Sequence, residues 1–180
     1  MVQNDAAAAR WYRNAAEQGT EEGQCNLASL LQEGRGVVKN DTEATQWYKK
    51  AADRGFAHAQ YNLGHLYEVG CSVEQSDVEA VQYYQKAADQ GFTNAQYNLG
   101  LMFENGRGVA QSDVKAVHWY TKAAEQGQAM AQNNLGLKVL HGRGVAQSYA
   151  EAMRWFRKAA DQGEPQAEFN LKVHFKKKWH

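Results

Sequence analysis

One interval governs this sequence. The glycine that closes each "AAEQG"-like run falls at Gly19, Gly55, Gly91, Gly127 and Gly163, always 36 residues apart. An Asn-Leu pair recurs on the same spacing, as Asn26-Leu27, Asn62-Leu63, Asn98-Leu99, Asn134-Leu135 and Asn170-Leu171. So does an aromatic pair, from Trp11-Tyr12 through Trp47-Tyr48, Tyr83-Tyr84 and Trp119-Tyr120 to Trp155-Phe156. Residues 56–91 and 92–127 are identical at 22 of 36 positions, including the hexapeptide A-Q-Y-N-L-G. A fixed period of about 20 to 50 residues marks a chain built of stacked supersecondary units, none of which can bury its apolar face alone.

Each unit reads as two helices. The first spans roughly 57–69, with small or apolar residues at 59, 63, 66, 67 and 70 forming one buried stripe. "GRGV" at Gly34, Gly106 and Gly142, degenerate as "GCSV" at Gly70, suits a helix stopping in the left-handed conformation. The second helix opens on a capping box, Ser76-x-x-Glu79 and Ser148-x-x-Glu151, with Ser112 and Asn40 in the same slot. It buries Ala44, Tyr48, Ala51, Ala52 and their equivalents. Pro165 falls on the first turn of the last first-type helix, where its missing N–H costs nothing. Gly64, Gly100 and Gly136 with the Ala pairs let paired helices approach closely, and the aromatic pair is expected to fill the gap to the next unit. The expected fold is all-α: a right-handed α/α superhelical solenoid of 36-residue helix–turn–helix repeats. Its parts are an opening helix at 5–18, repeats at 20–55, 56–91, 92–127 and 128–163, and a closing helix at 164–178, together one repeat domain. Its outermost helices are unpaired, as in a segment excised from a longer array.

Composition narrows the function. Twenty Lys+Arg balance twenty Asp+Glu, so no general pull toward nucleic acid or acidic membranes is expected. No apolar run approaches the ~20 residues a membrane span needs. The N-terminus does not read as a signal peptide, and two cysteines without a dense pattern suit a reducing compartment. The expected location is cytoplasmic.

The pattern A-x-Y-N-L-G…Y-x-x-G-x-G-V…A-x-x-W-Y-x-K-A-A-x-x-G resembles the SLR (Sel-one-like repeat) family, relatives of the tetratricopeptide repeats, over residues 5 to about 171. The resemblance implies an α/α superhelix serving as scaffold or adaptor. Three departures stand out: Cys71-Ser72 for Arg-Gly, Lys138 for an apolar residue, and Lys172 where other units have Gly or Ala. An irregular second turn and last helix are therefore expected. Some cysteine-rich relatives have been linked to β-lactam binding, but the Cys pair that staples their repeats is missing here.

Motifs that mimic catalytic ones have plainer readings. Ser112-Asp113-Val114-Lys115 spells S-x-x-K, yet no S-D-N or K-T-G accompanies it and Ser112 occupies the cap slot. Gly106-Arg107-Gly108 follows a helix rather than a strand and is a turn. His58 and His65 share a helix face without the further ligands a metal needs. The Asn40-Asp41-Thr42 sequon is better explained as a cap. Lys176-Lys177-Lys178 with Trp179 reads as a solvated end. No catalytic residue, metal or cofactor is expected, and the roles of Cys25 and Cys71 stay open.

Comparison of the units with one another exposes a different signal. Slots 58, 61, 65, 68 and 69 of the first helix vary freely while their neighbours hardly change. Their spacing puts them on one face, offset from the buried stripe. They hold Tyr, His, Leu, Met and Asn rather than charge, a composition nearer to an interface than to plain surface. In tetratricopeptide-like folds this helix lines the concave side, so the resemblance implies a groove there. The expected partner-binding residues are His58, Tyr61, Asn62, His65, Asn94, Tyr97, Asn98, Leu101, Asn133, Asn134, Leu137 and His141. The repeated Asn62, Asn98 and Asn134 either hold a ligand backbone or bond the neighbouring repeat. The expected function is a non-catalytic scaffold binding a protein or peptide partner, with no nucleic acid or membrane involved. Two alternatives are a β-lactam-binding or amide-hydrolysing enzyme, and an assembly block that self-associates through open solenoid ends.

Overall fold

A computed structural model describes residues 2–175, with side chains from residue 4 onward; Lys176–Lys178 and Trp179 lie outside the described residues. Among these there are ten α-helices and no strand. They are α1 (Val2–Glu17), α2 (Glu21–Glu33), α3 (Asp41–Asp53), α4 (Ala57–Val69), α5 (Asp77–Asp89), α6 (Thr93–Asn105), α7 (Asp113–Glu125), α8 (Ala129–His141), α9 (Tyr149–Ala160) and α10 (Pro165–Phe175). The chain forms two compact units, Met1–Phe92 with α1–α5 and Thr93–His180 with α6–α10. Within each, every helix packs on the next in sequence. The expected first helix at 57–69 and the proline start of α10 are both present.

The turns are regular, including the one expected to be irregular. Gly34, Gly70 and Gly142 end their helices in the left-handed conformation at φ 69°, 74° and 67°. The next residue but one is again left-handed: Gly36, Gly108 and Gly144, and in the degenerate turn Ser72 at φ 59°. Glycine is needed there for space as well. A Cβ on Gly36 would lie 2.3 Å from the Asp5 backbone, and one on Gly144 2.4 Å from that of Asp113. Ser72 carries a Cβ, so its turn cannot press as closely on the start of α3. The last helix also stays regular, with Lys172 exposed beside Glu168 at 3.9 Å.

The caps at Asn40, Ser76, Ser112 and Ser148 accept from the N–H groups of Glu43, Glu79, Lys115 and Glu151 at 3.0–3.3 Å. The reciprocal arm of the capping box is not what satisfies the cap's own N–H. That group donates to a carbonyl nine residues back across the turn, Leu31, Tyr67, Phe103 and Val139, at 2.9–3.1 Å. This explains why Lys115 can occupy the capping Glu's slot: the acidic side chain is not required. The glutamine before each serine cap closes the same turn, with Gln75, Gln111 and Gln147 donating to Glu68, Glu104 and Leu140 carbonyls at 3.0, 2.9 and 2.7 Å.

The aromatic pair divides its labour differently from expectation. Its second ring stays inside its own repeat: Tyr84, Tyr120 and Phe156 are fully buried and pack against Gly64, Gly100 and Gly136 of the preceding helix. A Cβ at Gly100 would stand 2.5 Å from the Tyr120 ring, so glycine here admits a ring rather than a neighbouring backbone. The first aromatic carries the repeat's lysine. Lys50, Lys86, Lys122 and Lys158 hold their ammonium groups 3.9, 4.9, 4.7 and 4.4 Å from the rings of Trp47, Tyr83, Trp119 and Trp155.

A glutamine ladder, absent from the expectations, ties the stack together. Gln60 and Gln132, both buried, donate to the Ala52 and Ala124 carbonyls at 3.2 and 3.0 Å. Their carboxamide oxygens, and that of Gln96, accept from Gln90, Gln162 and Gln126 at 2.8, 2.9 and 2.7 Å. The signal was present in the sequence as glutamines 30 residues apart, recurring every 36.

Candidate functional site

In the Met1–Phe92 unit, two of the expected residues meet in an aromatic cluster. His58 is exposed and stacks on Phe92 at 5.4 Å, with Phe56 tilted on its other side at 6.5 Å. Tyr61 is half-buried, its ring 5.1 Å from Phe92 and 5.7 Å from Tyr84. Phe56 and Phe92 were missed, although "GF" stands at both 55–56 and 91–92. His65 is exposed one turn further on. Asn62 donates to Cys25 Sγ at 3.8 Å, a bond from α4 back to α2 of the neighbouring repeat. Burial pushes the Cys25 thiol up to about 12 against the smaller opposing effect of that amide.

In the Thr93–His180 unit, Asn94 is exposed and accepts from Gln128 at 3.2 Å. Tyr97, Asn98, Asn134, Leu101 and Leu137 are half-buried, and His141 is exposed. The Tyr97 ring lies 6.0 Å from Tyr120. Burial raises the Tyr97 hydroxyl above its ordinary range, although a hydrogen bond with Asn134 works the other way. Tyr97 is thus a neutral phenol at physiological pH. Asn133 departs from the expectation. It is only 6% exposed, and its Oδ1 accepts from Asn170 at 2.8 Å, so it joins two repeats instead of facing solvent.

The Lys138 departure proves to be a built feature. Its ammonium, 4% exposed, donates to Glu104 at 2.7 Å and Asp113 at 2.6 Å. Glu104 also accepts from the Tyr120 hydroxyl at 2.5 Å. The lysine's charge is thus met by two carboxylates. Ser112 and Lys115 do not form a nucleophile–base pair either, since Ser112 Oγ caps α7 and the Lys115 ammonium lies 5.1 Å over Phe103. Among the described residues no three of His, Cys, Asp and Glu gather to hold a metal ion. No described helix is long and apolar enough to cross a membrane.

The Sel1 repeat family profile matches residues 1–20, 21–56, 57–92, 93–128 and 129–164. Among solved structures, a protective antigen of uropathogenic Escherichia coli with an SLR fold is 35% identical with a TM-score of 0.88, the match covering 93% of this chain and 36% of that one. A Sel1 repeat protein of Oxalobacter formigenes is 34% identical with a TM-score of 0.82, over 90% of this chain and 64% of the other. An immunity protein of Pseudomonas aeruginosa is 27% identical with a TM-score of 0.62, over 94% and 62%. The chain therefore spans about a third of the first relative's length and just under two thirds of the second's. No curated protein sequence matches it.

Proposed function

The chain belongs to the Sel1 repeat family, and from that premise we propose that it is a non-catalytic scaffold that binds a protein or peptide partner on the variable faces of its first-type helices. One observation carries the reading. Most slots that pack the repeats hardly change, whereas the neighbouring slots on α4 and α6 present half-buried Tyr61, Tyr97 and Leu101 beside exposed His58, His65 and Asn94. Large amphipathic side chains, ordered by packing at one end and wet at the other, are what interfaces use most heavily. A preformed helical face also spares the protein an ordering cost on binding.

The test is site-resolved. A photo-crosslinking residue placed at 65, 101 or 137 is expected to capture the partner, and one at Gln46 or Gln82 on the second-type helices is not. Tyr61→Leu and Tyr97→Leu, which keep an apolar side chain against Tyr84 and Tyr120, should weaken the captured partner by about 1–3 kcal/mol each. Capture from Gln46 and Gln82 alone would move the working surface to the other side.

A further inference from the structure

We propose that Tyr97 meets its partner as a hydrogen-bond donor to an uncharged carbonyl, and that Asn134 is the residue that positions it to do so. The inference rests on the binding face proposed above and adds what that face recognises at Tyr97.

Within each unit, the asparagine of an Asn-Leu pair reaches 37 residues back, to the slot of Tyr61 in the preceding repeat. Asn62 donates to Cys25 Sγ at 3.8 Å and Asn170 to Asn133 Oδ1 at 2.8 Å. Asn134 stands in the same relation to Tyr97 and hydrogen-bonds its hydroxyl. The oxygen of the Asn134 amide is already in use, since Oδ1 accepts from Asn133 Nδ2 at 3.4 Å. Its NH2 group is therefore the end turned to the rings, with one N–H for Tyr97 and one for Tyr120.

Matching donors to acceptors leaves one hydrogen over. The Tyr120 hydrogen goes to Glu104 at 2.5 Å, and Lys138 serves Glu104 and Asp113 at 2.7 and 2.6 Å. The Tyr97 oxygen accepts from Asn134, but none of the described residues accepts the Tyr97 hydrogen. Tyr97 is half-buried, its ring held 6.0 Å from that of Tyr120. Its hydrogen is thus the polar group offered at this point of the face, and a partner that displaces water there must supply an acceptor. Charge narrows the choice. Glu104 and Glu164 both lie close enough to act on the Tyr97 hydroxyl, and their sign disfavours a carboxylate or phosphate. An extended peptide, whose carbonyls are not used internally, meets the requirement.

The probe is a fluorescent peptide selected on the full chain from a random peptide library, its binding read by anisotropy. Tyr97→Phe keeps the ring and removes the donor, and should weaken the peptide about three- to tenfold. Asn134→Asp keeps the shape but turns the amide into an acceptor that takes the Tyr97 hydrogen, and should weaken it as much. On the Tyr97→Phe background, Asn134→Asp should cost nothing further, because no hydroxyl is left to position. Tyr97→Phe should also shift the Asn134 side-chain amide signals in a proton–nitrogen correlation spectrum of the free protein. Replacing every Asp and Glu of the peptide by Asn and Gln should not weaken it. Equal binding by Tyr97→Phe overturns the donor role, and a loss on neutralising the peptide overturns the uncharged acceptor. An Asn134→Asp loss that persists without the Tyr97 hydroxyl, or amide signals that stay put, overturns the positioning role. Tyr97→Leu separates these from the face itself. If it weakens the peptide while Tyr97→Phe does not, the face stands and the donor falls; if neither it nor Tyr61→Leu has any effect, the face fails and the inference with it.

Discussion

Arg54→Gln should make the protein more stable, although it removes an ion pair. Gln24 is 5% exposed, and its Nε2 donates to the Ala16 carbonyl at 3.3 Å as the ladder requires. Its Oε1 is buried without a partner. The residue that supplies the partner elsewhere, Gln90, Gln126 or Gln162, is replaced in this repeat by Arg54. Arg54 turns away instead, pairing with Glu21 at 2.8 Å and donating to the Gly19 carbonyl. A buried acceptor left unpaired costs about 1–3 kcal/mol. The ion pair lost is worth about 0–1 kcal/mol, because its side chains are 52% and 35% exposed. The Gly19 carbonyl returns to water at small cost. The net is a gain of about 0.5–1.5 kcal/mol, or about 1–6 °C in Tm for a chain of this size. Urea unfolding followed by circular dichroism should show a higher midpoint at unchanged slope. Gln90→Arg, which makes the reverse change one repeat on and orphans Gln60, should cost a comparable amount. An unchanged or lower midpoint for Arg54→Gln, or no loss in Gln90→Arg, would refute the ladder as a source of stability.

Cys71→Arg should raise stability by about 0.5–1 kcal/mol, because Asp41 Oδ1 is buried and unpaired where Asp5 has Arg35 at 3.3 Å; the urea midpoint reads it. Lys138→Met, which installs the residue found at Met102, should cost about 1–2 kcal/mol: it leaves the carboxylates of Glu104 and Asp113 facing each other, a penalty moderated by their 29% and 38% exposure. Ser112→Ala should cost about 1 kcal/mol through loss of the α7 cap and leave no chromogenic β-lactam turnover to abolish, so turnover that disappears with the substitution would contradict the capping role. The folded state holds the Cys25 proton up to about 12 from an ordinary 9.0, so it binds more protons than the unfolded chain between those values. Stability should therefore fall as pH rises above about 9, and Cys25→Ala should flatten the first part of that fall in unfolding curves taken from pH 8 to 11.

What the sequence reveals and hides follows from its period. Every element that repeats faithfully was legible: the helix at 57–69, the αL glycines, the serine caps and the buried Tyr48, Tyr84 and Tyr120 all follow from spacing and side-chain type. Partnerships between repeats were not, since period alone does not say which slot touches which. The capping box misled for this reason, as the cap's N–H finds a carbonyl nine residues back that no side-chain pattern advertises. Asn133 misled in another way. Its slot varies like a surface position, yet the variation reflects a changed partner inside the stack, Asn170, rather than freedom from packing.

The departures from the period become readable once the partnerships are known. Asp5 with Arg35 and Gln60 with Gln90 each join residues 30 apart. Arg54 and Cys71 break one such pair each, and the orphaned atoms, Gln24 Oε1 and Asp41 Oδ1, lie 30 residues upstream of them. Lys138 makes the complementary change. It brings a new cation to Asp113, and Arg143, in the slot of Arg35, is left exposed with no ion pair among the described residues. A substitution at one repeat thus tells more about the slot 30 residues earlier than about its own surroundings. That rule also separates packed slots from the proposed face: Gln60 is held by Gln90, whereas His65 on the same helix is exposed.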